Sequence, residues 1–163
     1  MKKWLILIGI IGVLCLGYLG LAHLSGGAYP TMGIVVGGAR GELRQLTLEF
    51  IEDIKFKDFK KAASYHDPKT QEQVDVPFLL QRLFVVKPEA LDVISYEIVF
   101  AEIDSTNLRG RVKARIKFKD LIKNQIRERE VIYFYHRDSL NDPWYMKLES
   151  SLRRVEGDDK KKH

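Results

Sequence analysis

Apolar residues open the chain in one unbroken block. From Trp4 to Leu24 the sequence WLILIGIIGVLCLGYLGLAHL contains no Asp, Glu, Lys or Arg, and the next charge is Arg40. About 21 residues rising about 1.5 Å each make a helix of roughly 31 Å, the thickness of a bilayer's hydrocarbon core. The block predicts a transmembrane anchor over residues 1–24. Residues 25–39, SGGAYPTMGIVVGGA, are uncharged and rich in glycine, and read as a linker with a short apolar patch from Met32 to Val36.

Beyond residue 40 the pattern becomes amphipathic. Leu43, Leu46, Phe50, Ile51 and Ile54 recur at helical spacing while Glu42, Gln45, Glu49, Glu52 and Asp53 take the other side, which predicts a helix from about Gly41. Asp58 suits the N-cap of a second, short helix with Phe59, Ala62, Ala63 and His66 inward, ended by Asp67-Pro68. A third fits Asp75 as cap, Pro77 in the first turn, and Phe78, Leu79, Leu83 and Phe84 as its apolar face.

After Pro88 the period drops to two. Strands are expected near 92–103, 107–118 and 125–136, with a shorter one at 143–150. In the second, Leu108, Gly110, Val112, Ala114, Ile116 and Phe118 alternate with Arg109, Arg111, Lys113, Arg115 and Lys117, so one face is buried and the other wet. Short loops at Ser105-Thr106-Asn107, Lys123-Asn124 and Asn141-Asp142-Pro143 suit successive antiparallel hairpins. The expected fold class is α+β: a transmembrane helix, then helices packed on a curved antiparallel sheet of about four strands, in one domain over 40–155. Residues 156–163 read as a disordered basic tail.

Charge orients the anchor. Lys2 and Lys3 precede it and nothing basic follows for about fifteen residues, so the positive-inside rule puts the N-terminus in the cytoplasm and the domain outside, in the periplasm if the cell is Gram-negative. A cleaved secretory signal is the competing reading, with Gly20-Leu21-Ala22 or Gly26-Gly27-Ala28 as the small-residue site; the length of the block favours retention, and both readings export the domain. The net charge of +5 owes much to Lys2, Lys3, Lys160, Lys161 and Lys162, which lie outside the core, and an exported domain has no nucleic acid to bind. The single cysteine, Cys15, lies within the apolar block and forms no intramolecular disulfide.

Two stretches carry a family resemblance. FIEDIKFKDFKKAASYHDP at 50–68, an apolar helix, a break and an alanine pair, and WYMKLES at 144–150, a closing strand, are similar to the nuclear-transport-factor-2-like (cystatin-like) superfamily. The resemblance covers about 40–152 and implies helices on the concave side of a strongly curved antiparallel sheet. Members include small-molecule isomerases and dehydratases as well as structural assembly modules. Membrane-tethered members, such as the inner-membrane scaffold subunit of type IV secretion systems, resemble this layout most.

Chemistry-bearing motifs are few. The four histidines, His23, His66, His136 and His163, have no metal-ligand spacing, and no P-loop, G-x-G-x-x-G, G-x-S-x-G or H-E-x-x-H occurs. No metal and no cofactor is expected. An enzyme on the resembled fold would need an acid/base pair projecting into the cone, for which Tyr65, His66, Asp67, Tyr96 and Tyr135 are the candidates, with Tyr133 beside them. Tyr65 and His66 are better explained as helix-closing residues before Asp67-Pro68, and Tyr133-Phe134-Tyr135 as alternating strand packing.

The basic ladder Arg109, Arg111, Lys113, Arg115 and Lys117 is the candidate binding surface. Its side chains stand about 6.5–7 Å apart and repel unless neutralised. Pairing of Arg115 with Glu128 and Lys113 with Glu130 would absorb much of it, leaving Arg109, Arg111 and Lys117 for an acidic partner or anionic headgroups. The expected function is a non-catalytic, membrane-anchored interaction module with two partners, the lipid bilayer through residues 4–24 and a protein of a membrane complex. A ligand-binding or lyase/isomerase-like cone and a membrane-surface-binding basic face are the alternatives.

Overall fold

The computed structural model describes the backbone of residues 2–26 and 37–160, without the side chains of 2, 3, 5–7 and 155–160. Most of the expected linker, with its apolar patch, and the last residues of the tail lie outside the described residues. The chain divides into two compact units, Met1–Glu42 and Leu43–His163.

In the first unit, α1 runs Lys2–Leu24 for 23 residues. Its large side chains point outward without cover, among them Ile8, Ile10, Val13, Leu14 and Leu16. The helix ends in a turn in which the Ser25 hydroxyl donates to the Ala22 carbonyl and Gly26 takes a positive φ of 66°. Among the described residues no helix is long and apolar enough to cross a membrane; the described side chains of α1 run unbroken only from Ile8.

α2, Gly38–Lys55, enters the second unit at Leu43. Leu43, Phe50, Ile51 and Ile54 are buried, on the face the sequence period assigns to the core. Lys57 breaks the chain direction with φ 62°, and its ammonium reaches the carbonyls of Pro88 and Leu91. α3, Phe59–Ala63, is capped by Asp58, which accepts from the Lys61 amide at 3.0 Å. α4, Val76–Phe84, is capped by Asp75, accepting from the Phe78 amide at 2.9 Å, and stops at Val85 in the left-handed region with φ 55°. Single 3₁₀ turns occupy Gln71–Gln73 and Pro88–Ala90.

One antiparallel sheet follows, in the order β1 (Leu91–Ile103), β2 (Arg109–Asp120), β3 (Gln125–His136) and β4 (Tyr145–Met146). Its inner face carries Val112, Ala114, Ile116, Phe118, Val131, Tyr133 and Tyr135, all buried. Helices cover that face: Phe50 of α2 meets Tyr133 edge-on at 5.6 Å, and Phe84 of α4 meets Phe118 at 5.1 Å. A Cβ on Gly110 would strike Leu43 Cδ1, so a side chain there requires Leu43 to move in the core. β1 slips register at Val93/Ser95 and at Ile98/Phe100, and such bulges bend an edge strand. The α+β class with helices on one face of a four-stranded antiparallel sheet is as expected.

Three expectations need correction. The last strand is two residues long, not 143–150, because α5 takes over at Leu148 and runs to Lys160. Buried Leu148, Ser151 and Leu152 follow helical spacing, whereas Trp144, Met146 and Leu148 also satisfy a period of two, so both patterns share Leu148. α5 packs on β3 and α4 and reaches into the segment read as a disordered tail, of which 161–163 lie outside the described residues. Lastly, β2 and β3 pair two residues out of the expected register, with Arg115 opposite Glu130 and Lys117 opposite Glu128. The Asp120↔Gln125 closure fixes that register, and a shift of two leaves every side chain on its own face.

Candidate functional site

Burial alternates strictly along β2, so Arg109, Arg111, Lys113, Arg115 and Lys117 all stand on the outer face. The acidic residues facing them come from both neighbours. Arg115 is at the centre: it pairs with Glu97 of β1 at 2.6 Å and, on β3, with Glu130 at 3.0 Å and Glu128 at 3.5 Å. Lys113 also closes on Glu130, and Arg111 meets Glu102 at 2.6 Å while lying over the Phe100 ring. These contacts hold the Glu130 carboxyl below its ordinary range, the Lys113 hydrogen bond being the larger cause, and raise Arg115 through its bond to Glu130.

The two ion pairs expected for Arg115 with Glu128 and Lys113 with Glu130 therefore form, but diagonally, because the residues directly opposite are Glu130 and Ile132. Arg111, expected to be left over, is neutralised by Glu102. Among the described residues Arg109 and Lys117 close no ion pair; Arg109 feels Asp104 only at longer range. Asp104 is itself occupied, accepting from the Thr106 hydroxyl and from the amides of Leu108 and Arg109, and its carboxyl is held low, chiefly by the Thr106 hydroxyl. Beside Arg109 an open groove of about 280 Å³ is bordered by Arg111, Phe134, Glu102 and Gly110.

The catalytic candidates are dispersed. Tyr65 donates to Asp53 at 2.9 Å, and Lys61 holds the other Asp53 oxygen at 2.8 Å. Tyr135 shares a 2.7 Å hydrogen bond with Thr47 of α2. Burial raises Tyr65, Tyr133 and Tyr135 far above the ordinary phenol range, Tyr65 further through Asp53. Tyr65, Tyr133 and Tyr135 do come near one another around Phe50, but Tyr65 and Tyr135 are each already engaged by a residue of α2. Tyr96 lies apart on β1 opposite Ile116, its phenol raised by burial and by Glu52. His66 is 2 % exposed and lowered by burial, with Nε2 unbonded, and Asp67 turns away to the Lys69 amide and to within 4.0 Å of His136.

The sequence reading missed Thr47, Asp53 and Lys61. The helical pattern places Asp53 on the outer side and gives Thr47 no side, yet both are buried. Their only signal is position: each falls next to an apolar residue of the inward stripe. Among the described residues no group of three or more His, Cys, Asp or Glu could hold a metal ion.

No family model matches the chain, no curated protein does, and no solved structure does.

Proposed function

We propose that this chain is a membrane-anchored, non-catalytic interaction module. In this reading α1 crosses the bilayer with the N-terminus in the cytoplasm, and a nuclear-transport-factor-2-like domain on the extracytoplasmic side docks onto an acidic surface of a protein in a membrane complex. The observation that carries it is the outer face of β2, where an otherwise neutralised ladder leaves Arg109 and Lys117 without an ion pair among the described residues. Two cations fixed on a rigid strand at opposite ends of a paired network suit electrostatic steering and register more than raw affinity.

Support for the anchor comes from sequence and composition. The run from Trp4 to Leu24 is uncharged, and it includes Leu5, Ile6 and Leu7, whose side chains are outside the described residues. A helix apolar on every side belongs in a core or a membrane, and the large described side chains of α1, such as Ile8, Val13, Leu14 and Leu16, are exposed, while Ala22 near its end is buried. The lyase or isomerase alternative has less behind it, since Tyr65 and Tyr135 spend their hydroxyls on Asp53 and Thr47.

The test is affinity recovery of the tagged full chain from detergent-solubilised membranes, after crosslinking. A defined partner is expected whose recovery falls about tenfold or more in Arg109→Glu with Lys117→Glu, two surface changes that leave the core intact. Unchanged recovery of the same partner overturns the assignment of this face.

A further inference from the structure

Hairpin turns are ordinarily polar, but the one joining β2 to β3 reads Asp120-Leu121-Ile122-Lys123-Asn124-Gln125-Ile126. Leu121 is 52 % exposed, Ile122 70 % and Ile126 60 %. Val85, 60 % exposed, stands across an open groove of about 420 Å³ that Val86, Lys87, Asp120, Ile122 and Lys123 help to line. These apolar side chains are presented to water by a turn that is firmly built. The buried Asp120 carboxylate accepts from the amides of Ile122 and Lys123 at 3.0 and 3.1 Å. The Leu121 amide donates to the Ala90 carbonyl at 2.9 Å, and Asn124 takes the left-handed conformation with φ 51°.

Cations surround the tip. Lys87, Lys119, Lys123 and Arg127 flank it, and among the described residues none of the four closes an ion pair. Of the nearby carboxylates, Asp120 is turned into its own loop, Asp92 stands opposite Lys119, and Asp92 and Glu89 also act on Lys57, so the basic character of the tip rests on Lys87, Lys123 and Arg127. A protruding apolar pair with a basic collar matches the boundary between headgroups and acyl chains of an anionic bilayer. A protein site of ordinary size would need about 800 Å² on this side, more than a hairpin tip supplies. Because the turn is already ordered, little conformational freedom is lost on insertion.

We propose that the Leu121–Ile122 hairpin tip docks on the surface of a bilayer bearing anionic headgroups, with Leu121 and Ile122 entering the interface and Lys87 and Lys123 meeting the phosphates. This contact is separate from the Arg109/Lys117 face and from α1. It gives the domain a second, reversible hold on the membrane.

The experiment uses the full chain with Cys15→Ser and a single reporter cysteine, Ile122→Cys or Leu140→Cys, labelled with an environment-sensitive dye. Leu140 is as exposed as Ile126 but follows the far end of β3, so it serves as control. The protein is reconstituted into phosphatidylcholine vesicles with or without about 30 % phosphatidylserine. A bilayer-restricted quencher is expected to quench the label at 122 at least about threefold more than at 140 in anionic vesicles. Lys87→Glu with Lys123→Glu is expected to remove most of that difference, each cation being worth roughly fivefold in partitioning. Equal quenching at the two positions overturns the proposal, as does quenching at 122 that ignores charge reversal. So does a label shielded from aqueous quencher yet unreached by the lipid quencher, which indicates a protein occupant. Retention of the chain on vesicles after a high-salt wash reads α1 independently of the tip.

Discussion

Thr47 and Tyr135 meet across the core at 2.7 Å, a buried hydroxyl pair between α2 and β3. Thr47 also donates to the Leu43 carbonyl at 2.8 Å, so removing Thr47 orphans the buried Tyr135 hydroxyl at a cost of about 1–3 kcal/mol, whereas removing both hydroxyls in the same shape is close to neutral. Thr47→Val is therefore expected to lower stability by that amount, and Tyr135→Phe added to it to restore most of the loss. Urea unfolding of the full chain in mild detergent checks this, and a double variant less stable than both single ones contradicts it. Thr47 was illegible in the sequence because a threonine beside the apolar stripe of an amphipathic helix has no distinguishing spacing. The caps were legible because Asp58 and Asp75 stand directly before apolar runs, and an aspartate there has one dominant use.

At the scale of elements, the short β4 is held from both sides. Met146 donates its amide to the Tyr65 carbonyl at 2.7 Å and pairs with Tyr135, while His66 bridges it in parallel. His66 is buried neutral in this joint, and burial, only partly offset by Glu149, lowers its pKa from 6.5. The unfolded chain then binds more protons than the folded one below pH 6.5, so stability is full above that value and falls as pH drops toward the folded pKa. The slope is at most about 1.4 kcal/mol per pH unit for one histidine. His136, also lowered by burial, adds in the same direction. The urea midpoint is expected to fall between about pH 7.5 and about pH 5.5, and to fall less in His66→Gln. An equal fall in the variant would remove His66 from the account. The pattern of α2, α3, α4 and three strands was legible because each keeps one period over most of its length, the bulges in β1 shifting the phase of the alternation without changing its period. The β4–α5 junction was not, because Leu148 serves two periods at once, nor was the ladder's register, because a shift of two preserves every face.

On the scale of the whole molecule, an apolar helix precedes a small α+β domain whose outer sheet face is a nearly balanced charge network. The wet and dry faces of β2 were legible from alternation alone. Which cations remain without partners was not, because that depends on where Glu97 and Glu102 of β1 fall, and the bulges in β1 set their positions. Anchoring is the central claim, since both the docking face and the hairpin tip gain their local concentration of partners from it. Alkaline carbonate extraction of membranes carrying the full chain, followed by protease added to right-side-out vesicles, tests it most directly. The account predicts that the chain stays in the membrane pellet and that the domain is digested from the extracytoplasmic side without detergent. Release of the chain into the carbonate supernatant, or digestion only after the vesicles are opened, would contradict it.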